Sequence, residues 1–570
     1  MAINVSDKFK VCIDGALPLL SAMCDKVGLK NRIDSQIQND QNNRIVSTGT
    51  AIKALVMNIV AKRKALYKLN EFYELTDTQK LFNEGIRPCN LTDDVMARAL
   101  DELYEIGPKK IMTETAMASI NEFNIPITSI HADTTSKSVY GAYENSTEED
   151  DTIHITRGHS KDYRPDLKQI VFGLGTTKDR VIVIGDVTDG NTSDKNWNKD
   201  ILKELRKSMT KYGLSDFIYV ADSAAVTEKT LKRLDGNKDD EPTITFVSRL
   251  PGNYKLEKEL KAKAMENPEN WEPVGAFSNK VDAAEYKAQS FEDRLYGNKY
   301  RFIVCHSNQL EKRKEKTLNK KIDKEKESLT KAIDEFHKID FYCAKDADAA
   351  LEKFEKDLNL KYHELVYKVK PLERKIKREK PGRPKKDEPV QFETVYKTDI
   401  QLFKDDLRIK EYKDRESLFV LITNSMDKEQ MNNRAIIKEY KEQSSVETTF
   451  RVLKDPYFID ELFIKTPQRL EALSYVILIA LMILTLLERN VREALKTEEE
   501  RAVVSGNRKT FTPTGISIIE ALEQIQILFY YNEKAKTWQR HCNLTDNQKR
   551  LIYLAGFSTD IYTEGFKNFA

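Results

Sequence analysis

Between Ile125 and Pro251 the chain changes character, and this stretch limits the fold more than any other. Five short runs, ITSIHAD, KQIVFGL, VIVIGDVTD, FIYVADS and TITFVSRL, are rich in β-branched and aromatic residues. Turn-rich or helical segments separate them, as expected of strands. The first three follow one another quickly. Lys195–Lys211 then reads as a helix before the fourth run, and Val226–Leu234 as another before the fifth. Three strands in succession, then helix, strand, helix and strand, predict a mixed α/β sheet.

The flanking segments read differently. Thr48 or Thr50 can cap a helix running to Lys64, with Ile52, Leu55, Val56, Ile59 and Val60 as its apolar stripe. Thr92 can cap another, with Val95, Ala99, Leu100 and Leu103 at helical spacing. Between them, KRKALYKLNEFYEL mixes Lys62, Arg63, Lys64 and Lys68 with Tyr67, Phe72 and Tyr73. That is either a surface that grips DNA or an ordinary solvated face. Beyond Pro251, Leu318, Ile322, Leu329, Ile333 and Phe336 fall near a heptad seam, and Leu351, Leu358, Leu365 and Leu372 recur every seven residues. These two charged stretches predict an antiparallel helical hairpin or a dimerisation arm, because a seam does not identify its partner. SLFVLITN (Ser417–Asn424) returns to a buried-strand pattern, with a long helix after it. The longest apolar run, Tyr475 to Leu484, has ten residues, about half of what a bilayer crossing needs. A buried core helix is therefore expected, and no membrane span.

Composition sets outer limits. Hydrophobic residues at 40% and charged residues at 32% exclude a disordered or membrane-embedded chain. The 93 basic and 91 acidic residues leave a net charge of only +2, so nucleic acid would have to be bound by local patches rather than bulk charge. Six cysteines without a Cys-x-x-Cys pair support neither a disulfide framework nor a zinc site. MAINVSDKFK lacks the series of a secretory signal, and a cytoplasmic location is expected.

Two acids end strand candidates: Asp133 ends ITSIHAD, and Asp222 ends FIYVAD. Singly, an Asp there is more often a turn former or helix cap. As a pair at converging strand ends they become candidate ligands for a hard divalent cation, which takes oxygen donors and usually only one or two carboxylates. A third acid lies in YKEQSSVETTFRVLK, where Tyr440, Glu447 and Lys454 are spaced by sevens. On a continuous helix this brings them to within about 20° of one face, with Gln443 and Arg451 four residues either side of Glu447. A solvated helix with ion pairs is the plain alternative.

Here the pattern resembles a known family. Bacterial insertion-sequence transposases of the family-four group carry Tyr, two residues, Arg, three residues, Glu, six residues, Lys. Tyr440, Glu447 and Lys454 match it, with Gln443 where the group usually has Arg. HADTTSKSVYG around Asp133 and YVADSAAVTEKTL around Asp222 are similar to that group. So are GHSKDYRPDLKQI, GNTSDK and FVSRLP, and the resemblance runs from about Thr48 to the last hundred residues. It implies a ribonuclease H-like catalytic core, which the strand order also fits, interrupted by an insertion of strands and a helical hairpin. The implied divisions are 1–124, an all-α N-terminal domain that binds DNA ends; 125–251, the first part of the core; 252–415, the insertion; 416–495, the second part of the core with the Glu-bearing helix; and 496–570, a helical C-terminal region.

The resemblance also implies cut-and-paste transposition by a triad of Asp133, Asp222 and Glu447, holding two Mg²⁺ or Mn²⁺ ions. The partners would be double-stranded DNA (inverted repeats and target) and a second copy of the chain in the DNA complex, at the bacterial nucleoid. Lys454 and Arg451 would neutralise phosphates, and Tyr440 would hydrogen-bond a phosphate or stack on a base. Gln443 can donate to phosphate but brings no charge. His159 and Arg164, in the loop after the first strand, are candidate substrate contacts, whereas His131 is expected to pack. Lys370–Lys386 has nine basic and two acidic residues. Its Pro381-Gly382-Arg383-Pro384 centre resembles an AT-hook, with Arg383 entering a minor groove, or else it is a solvated linker. Two other functions fit the same residues: a metal nuclease without strand transfer, and a DNA-binding protein that has lost catalysis.

Overall fold

The computed structural model describes residues 9–37, 44–61, 64–82, 85–141, 143, 152–213, 216–236, 242–278, 280–376, 389–459, 462, 464–532 and 537–563. It divides into two units: Met1–Ser248 with Thr423–Ser425 and Ala435–Ala570, and Arg249–Ile422 with Met426–Arg434.

The first unit begins with helices. In α1 (Thr48–Ala61) every residue from Thr48 to Val60 is buried, so it is an interior helix rather than an amphipathic one. Ser47, not Thr48 or Thr50, caps it: the Thr50 N–H donates to Ser47 Oγ at 3.2 Å. In α2 (Asp93–Ile106) Thr92 caps as its sequence predicts, its side chain accepting from Val95 N, with Asp93 and Asp94 favourably placed at the positive helix end. α3 (Pro108–Glu122) follows.

Five strands with two intervening helices come next: β1 (Ser129–Val139), β2 (Lys168–Thr176), β3 (Ile182–Thr188), α4 (Asp194–Tyr212), β4 (Ile218–Ala221), α5 (Glu228–Asp235) and β5 (Thr245–Arg249). In space the strands run β3-β2-β1-β4-β5. β3 and β1 each pair antiparallel with β2, whereas β4 lies parallel to β1 and β5 parallel to β4. The chemistry of the connections explains this mixture. A tight turn at Thr177–Val181, closed by Val181 O accepting from Thr177 N at 2.9 Å, joins antiparallel neighbours. Parallel neighbours need a crossover, and α4 and α5 supply it.

After β5 the unit resumes with α6 (Asn433–Glu442), α7 (Ser444–Leu453) and α8 (Pro467–Leu495). α8 is long and apolar enough to cross a membrane, but 94% of its apolar window is buried. It lies against α1, α2, α3 and β3, as the core-helix reading expects. An N-terminal strand, Phe9–Ile13, pairs with Gln526–Asn532, which pairs in turn with Thr537–Cys542. The N-terminal region is therefore not all-α, nor is the C-terminal region wholly helical. A strand whose partner lies five hundred residues away has little local signature.

The second unit has strands Leu418–Thr423, Asn298–Ser307, Glu285–Leu295 and Glu272–Ala276 in that spatial order. Tyr296 and Gly297, both at positive φ, make the two-residue turn that joins the Glu285–Leu295/Asn298–Ser307 hairpin. Its long helix, Asn308–Phe336, buries Leu318, Ile322, Leu329, Ile333 and Phe336, the seam seen in the sequence. The expected helical hairpin does not form. The next helix stops at Asp357, and His363–Lys375 pairs antiparallel with Phe392–Lys404. Leu365 packs with Ile333, Phe336, Leu351 and Ile400 in one cluster, so the seam closes on a β-hairpin. HELVYKVK alternates between buried and exposed residues, and that period of two overrides the seven-residue recurrence of leucine.

Candidate active site

Parallel pairing sets Ala132 beside Ala221, so Asp133 and Asp222 follow at adjacent positions where β1 and β4 run side by side. Asp222 leaves the strand and caps a short turn, accepting from Ala224 N at 3.0 Å. Ser248 Oγ on β5 donates to its carbonyl at 2.7 Å. Asp133 accepts from Thr134 N at 2.7 Å. Both carboxyls are half-buried. Burial pushes Asp133 up to about 7, with Asp222 and Asp194 adding repulsion and Lys161 opposing. Asp222 is raised by the same burial, and by Asp194.

Asp194 was not singled out in the sequence. It opens α4, where an acid is unremarkable because of the helix dipole. The structure turns it onto β1: Thr134 Oγ1 donates to it, and Lys161 Nζ lies 3.2 Å from both of its oxygens. Lys161 also donates to Thr134 O at 2.8 Å. The close approach of α4 depends on Gly173. A Cβ there would meet the Trp197 indole at 2.2 Å, and Trp197 Nε1 donates to Asp186 Oδ2 at 3.0 Å. Beside the acids is a cleft of about 400 Å³, lined by Thr134, Ser136, His159, Lys161, Asp194 and Lys195 among others.

The Glu447 helix is interrupted. α6 ends at Glu442 and α7 starts at Ser444. Gln443 sits at the joint, bonded through its backbone to Tyr440 O and Val446 N, so Tyr440 and Glu447 belong to different helices. Ser445, Val446, Thr449, Phe450 and Leu453 are the buried side of α7. Ser445 Oγ lies 3.4 Å from Thr176 Oγ1, and Thr176 pairs with His131. Paired residues share a sheet face, so α7 runs over the face of β1 that carries His131 and Asp133. Glu447 itself is exposed, and the strongest charges on Asp133 and Asp222 come from Lys161, Asp194 and, for Asp133, Asp222. Asp194 is thus a further acid whose charge acts on both Asp133 and Asp222.

The remaining residues divide. His159 is exposed at the cleft. Arg164 is exposed and holds Asp166 through two bonds of 2.9 and 2.7 Å. Lys454 pairs with Asp162 at 2.6 Å, and Asp162 in turn accepts from Ser138 N. Arg451 is exposed, Tyr440 half-buried and Gln443 buried. Arg383 lies outside the described residues. His131 is fully buried, bonded to Ser129 Oγ at 3.0 Å, and burial together with Lys178 lowers it to about 4.

A family model described as "Domain of unknown function (DUF4277)" matches residues 12–117, ending before the first candidate acid. No curated protein matches the chain. Among solved structures, the chain is similar to one described as a cryo-EM structure of the piggyBac transposase synaptic complex with hairpin DNA. The identity is 11%, the match covers 96% of this chain and 80% of that one, and the TM-score is 0.33, too low to equate the two folds.

Proposed function

We propose that the chain is a DDE-type transposase that cuts the inverted-repeat ends of an insertion sequence and joins them to target DNA. One observation carries this reading: Asp133 and Asp222 stand side by side, each directly after the last pair of the parallel ladder between β1 and β4, Ala132 and Ala221. The strand order β3-β2-β1-β4-β5 supports a ribonuclease H-like core, and the motif around Glu447 supports the family-four insertion-sequence group.

The donor set fits a hard divalent cation. Asp133 and Asp222 offer carboxylate oxygens whose ionisation burial opposes, and the Lys161 ammonium already sits among the acids. Asp133 and Asp222, joined by Glu447, would hold Mg²⁺ or Mn²⁺. Two such ions, when bound, supply an activated attacking hydroxyl and stabilise the leaving oxygen of an in-line displacement at phosphorus. The chain's own residues orient the DNA. Lys161, Lys195 and His159 line the cleft and present donors to a phosphate backbone. Lys454 exchanges Asp162 for a phosphate, an anion of like bonding chemistry, and Arg451 approaches from the exposed side of α7. The complex is proposed to contain two copies of the chain.

The test is incubation of purified protein with DNA bearing the element's ends, in Mg²⁺ or in EDTA. End cleavage and joined products, lost in Asp133→Ala, Asp222→Ala and Glu447→Ala, are expected. Full activity of Asp222→Ala overturns the reading, and binding without cleavage by the unmodified chain identifies a DNA-binding protein that has lost catalysis. The position of Asp194 favours one second reading, a metal nuclease whose third acid is Asp194. It requires cleavage without joining, abolished by Asp194→Asn and retained in Glu447→Gln.

A further inference from the structure

We propose that His131, Glu439 and Glu442 form a separate binding site for a divalent transition ion of the Zn²⁺ or Mn²⁺ class. His131 lies on β1, two residues before Asp133, and is fully buried. Glu439 and Glu442 stand three residues apart in the last turn of α6, on neighbouring positions of the helix surface. One ligand atom from each of the three lies within 4.8 Å of the others. Bonds of about 2.0–2.2 Å to nitrogen and oxygen set ligand atoms about 3–3.5 Å apart. Side-chain adjustment of about 1.5 Å would therefore close the site.

Three features point to a cation. First, the two acids carry buried oxygens without hydrogen-bond partners: Glu439 Oε2 and Glu442 Oε2. Buried polar atoms are rarely left so, and an ion would satisfy them. Second, the two carboxylates occupy the C-terminal end of α6, the negative pole of its dipole, where acids are disfavoured. Among the described residues the cations acting on Glu442 are Lys438, 3.9 Å from Glu442 Oε1 and largely exposed, and Lys178, and burial together with the repulsion of Glu439 still raises the Glu442 carboxyl. Third, His131 Nε2 is 4.0 Å from Glu439 Oε2; the same nitrogen is bonded to Ser129 Oγ at 3.0 Å, a hydroxyl that an entering ion would displace from it.

The donor set selects the ion class. Imidazole with two carboxylates suits Zn²⁺, Mn²⁺ and their neighbours, whereas Mg²⁺ prefers oxygen and water. Glu439 and Glu442 side chains are 19% and 27% exposed, which leaves a path for entry. The ion would fasten α6 to β1 immediately before the Gln443 joint and so fix where α7, with Glu447, begins. His131, Glu439 and Glu442 are positioning residues in this account. The site itself does not rest on the DNA-transfer reading.

The experiment uses the full chain carrying Asp133→Asn and Asp222→Asn, which removes the acid pair. After stripping with EDTA, it is titrated with Zn²⁺ by calorimetry and with Mn²⁺ by electron paramagnetic resonance. One equivalent of ion is expected to bind, with at least a tenfold loss of affinity when His131→Ala or Glu439→Gln is added. Zn²⁺ should raise the melting temperature of the double variant and not that of the versions lacking a ligand. Circular dichroism checks the fold, and Glu439→Gln stands in if His131→Ala does not fold. Failure of the double variant to retain an ion, or retention unchanged by Glu439→Gln, overturns the proposal whether or not the chain transfers DNA. Mg²⁺ displacing the bound Zn²⁺ at equal concentration overturns the assigned ion class.

Discussion

Asp133→Asn separates the electrostatics of the site from its packing. Asn keeps the Oδ1 acceptor for Thr134 N and nearly the same volume, and removes only the charge. Burial moves the Asp133 carboxyl from 3.8 to about 7, which corresponds to about 4 kcal/mol at 1.36 kcal/mol per pH unit. The group is half-buried and its surroundings relax, so about 1–3 kcal/mol is the expected gain for the variant at pH 8 without divalent ions. The sign follows from linkage. An acid with a raised folded pKa contributes stability that is fully present below about pH 4 and is lost as the pH rises through about 7. Urea denaturation at pH 5 and pH 8, in EDTA or in Mg²⁺, measures each part. The wild type should be less stable at pH 8 than at pH 5 in EDTA and should recover in Mg²⁺. The variant should be flatter with pH and indifferent to Mg²⁺, with end cleavage lost. An Asp133→Asn protein less stable than wild type at pH 8 in EDTA would refute the reasoning, because the charge would then be doing structural work.

Three other perturbations test the scaffold. Gly173→Ala places a methyl against the Trp197 indole and should cost about 1–3 kcal/mol as overpacking does, read by urea denaturation together with reduced cleavage. Lys161→Met removes the cation lodged between Asp194 and Thr134; Mn²⁺ titration should show several-fold tighter binding to the acid pair. Leu478→Ala opens the interior of α8, where Leu478 Cδ1 packs over Gly185 of β3, and should destabilise by about 2–5 kcal/mol without changing ion affinity.

Much of the core was legible because its signals are local. Asp222 follows the end of its strand as FIYVAD suggests, whereas β1 runs on past Asp133 to Val139; the adjacency of the two acids follows once their runs pair in parallel. What was not legible depends on distant contacts. Asp194 reads as an ordinary helix opener until Gly173 lets Trp197, and with it α4, settle onto the sheet. Phe9–Ile13 becomes a strand only because Gln526–Asn532 offers an edge. Leu358, Leu365 and Leu372 keep a seven-residue spacing, yet the helix ends at Asp357 and Leu365 joins the cluster from a strand. A recurrence of leucine carries no information about where a helix stops.

Gln443 shows how the geometric reading of a motif can fail on a single residue. In the sequence it looks like the loss of a charged phosphate contact from a continuous helix face. In the structure it is 8% exposed, at the joint where Gln443 N donates to Tyr440 O at 3.3 Å and Val446 N donates to Gln443 O at 3.2 Å. These three-residue bonds tighten the turn and let α7 start independently of α6. A guanidinium at this buried position would need a partner that Gln does not, since an unpaired buried charge is strongly unfavourable. Gln443 is thus fitted to its surroundings, and in the proposed function phosphate contacts are assigned to the exposed Arg451 and to Lys454 instead. Gln443→Arg, which introduces the residue usual in the family-four group, should therefore lower stability by about 1–3 kcal/mol and leave end cleavage no higher than wild type. Greater cleavage at unchanged stability would show instead that the joint opens toward DNA and that the missing charge limits the reaction.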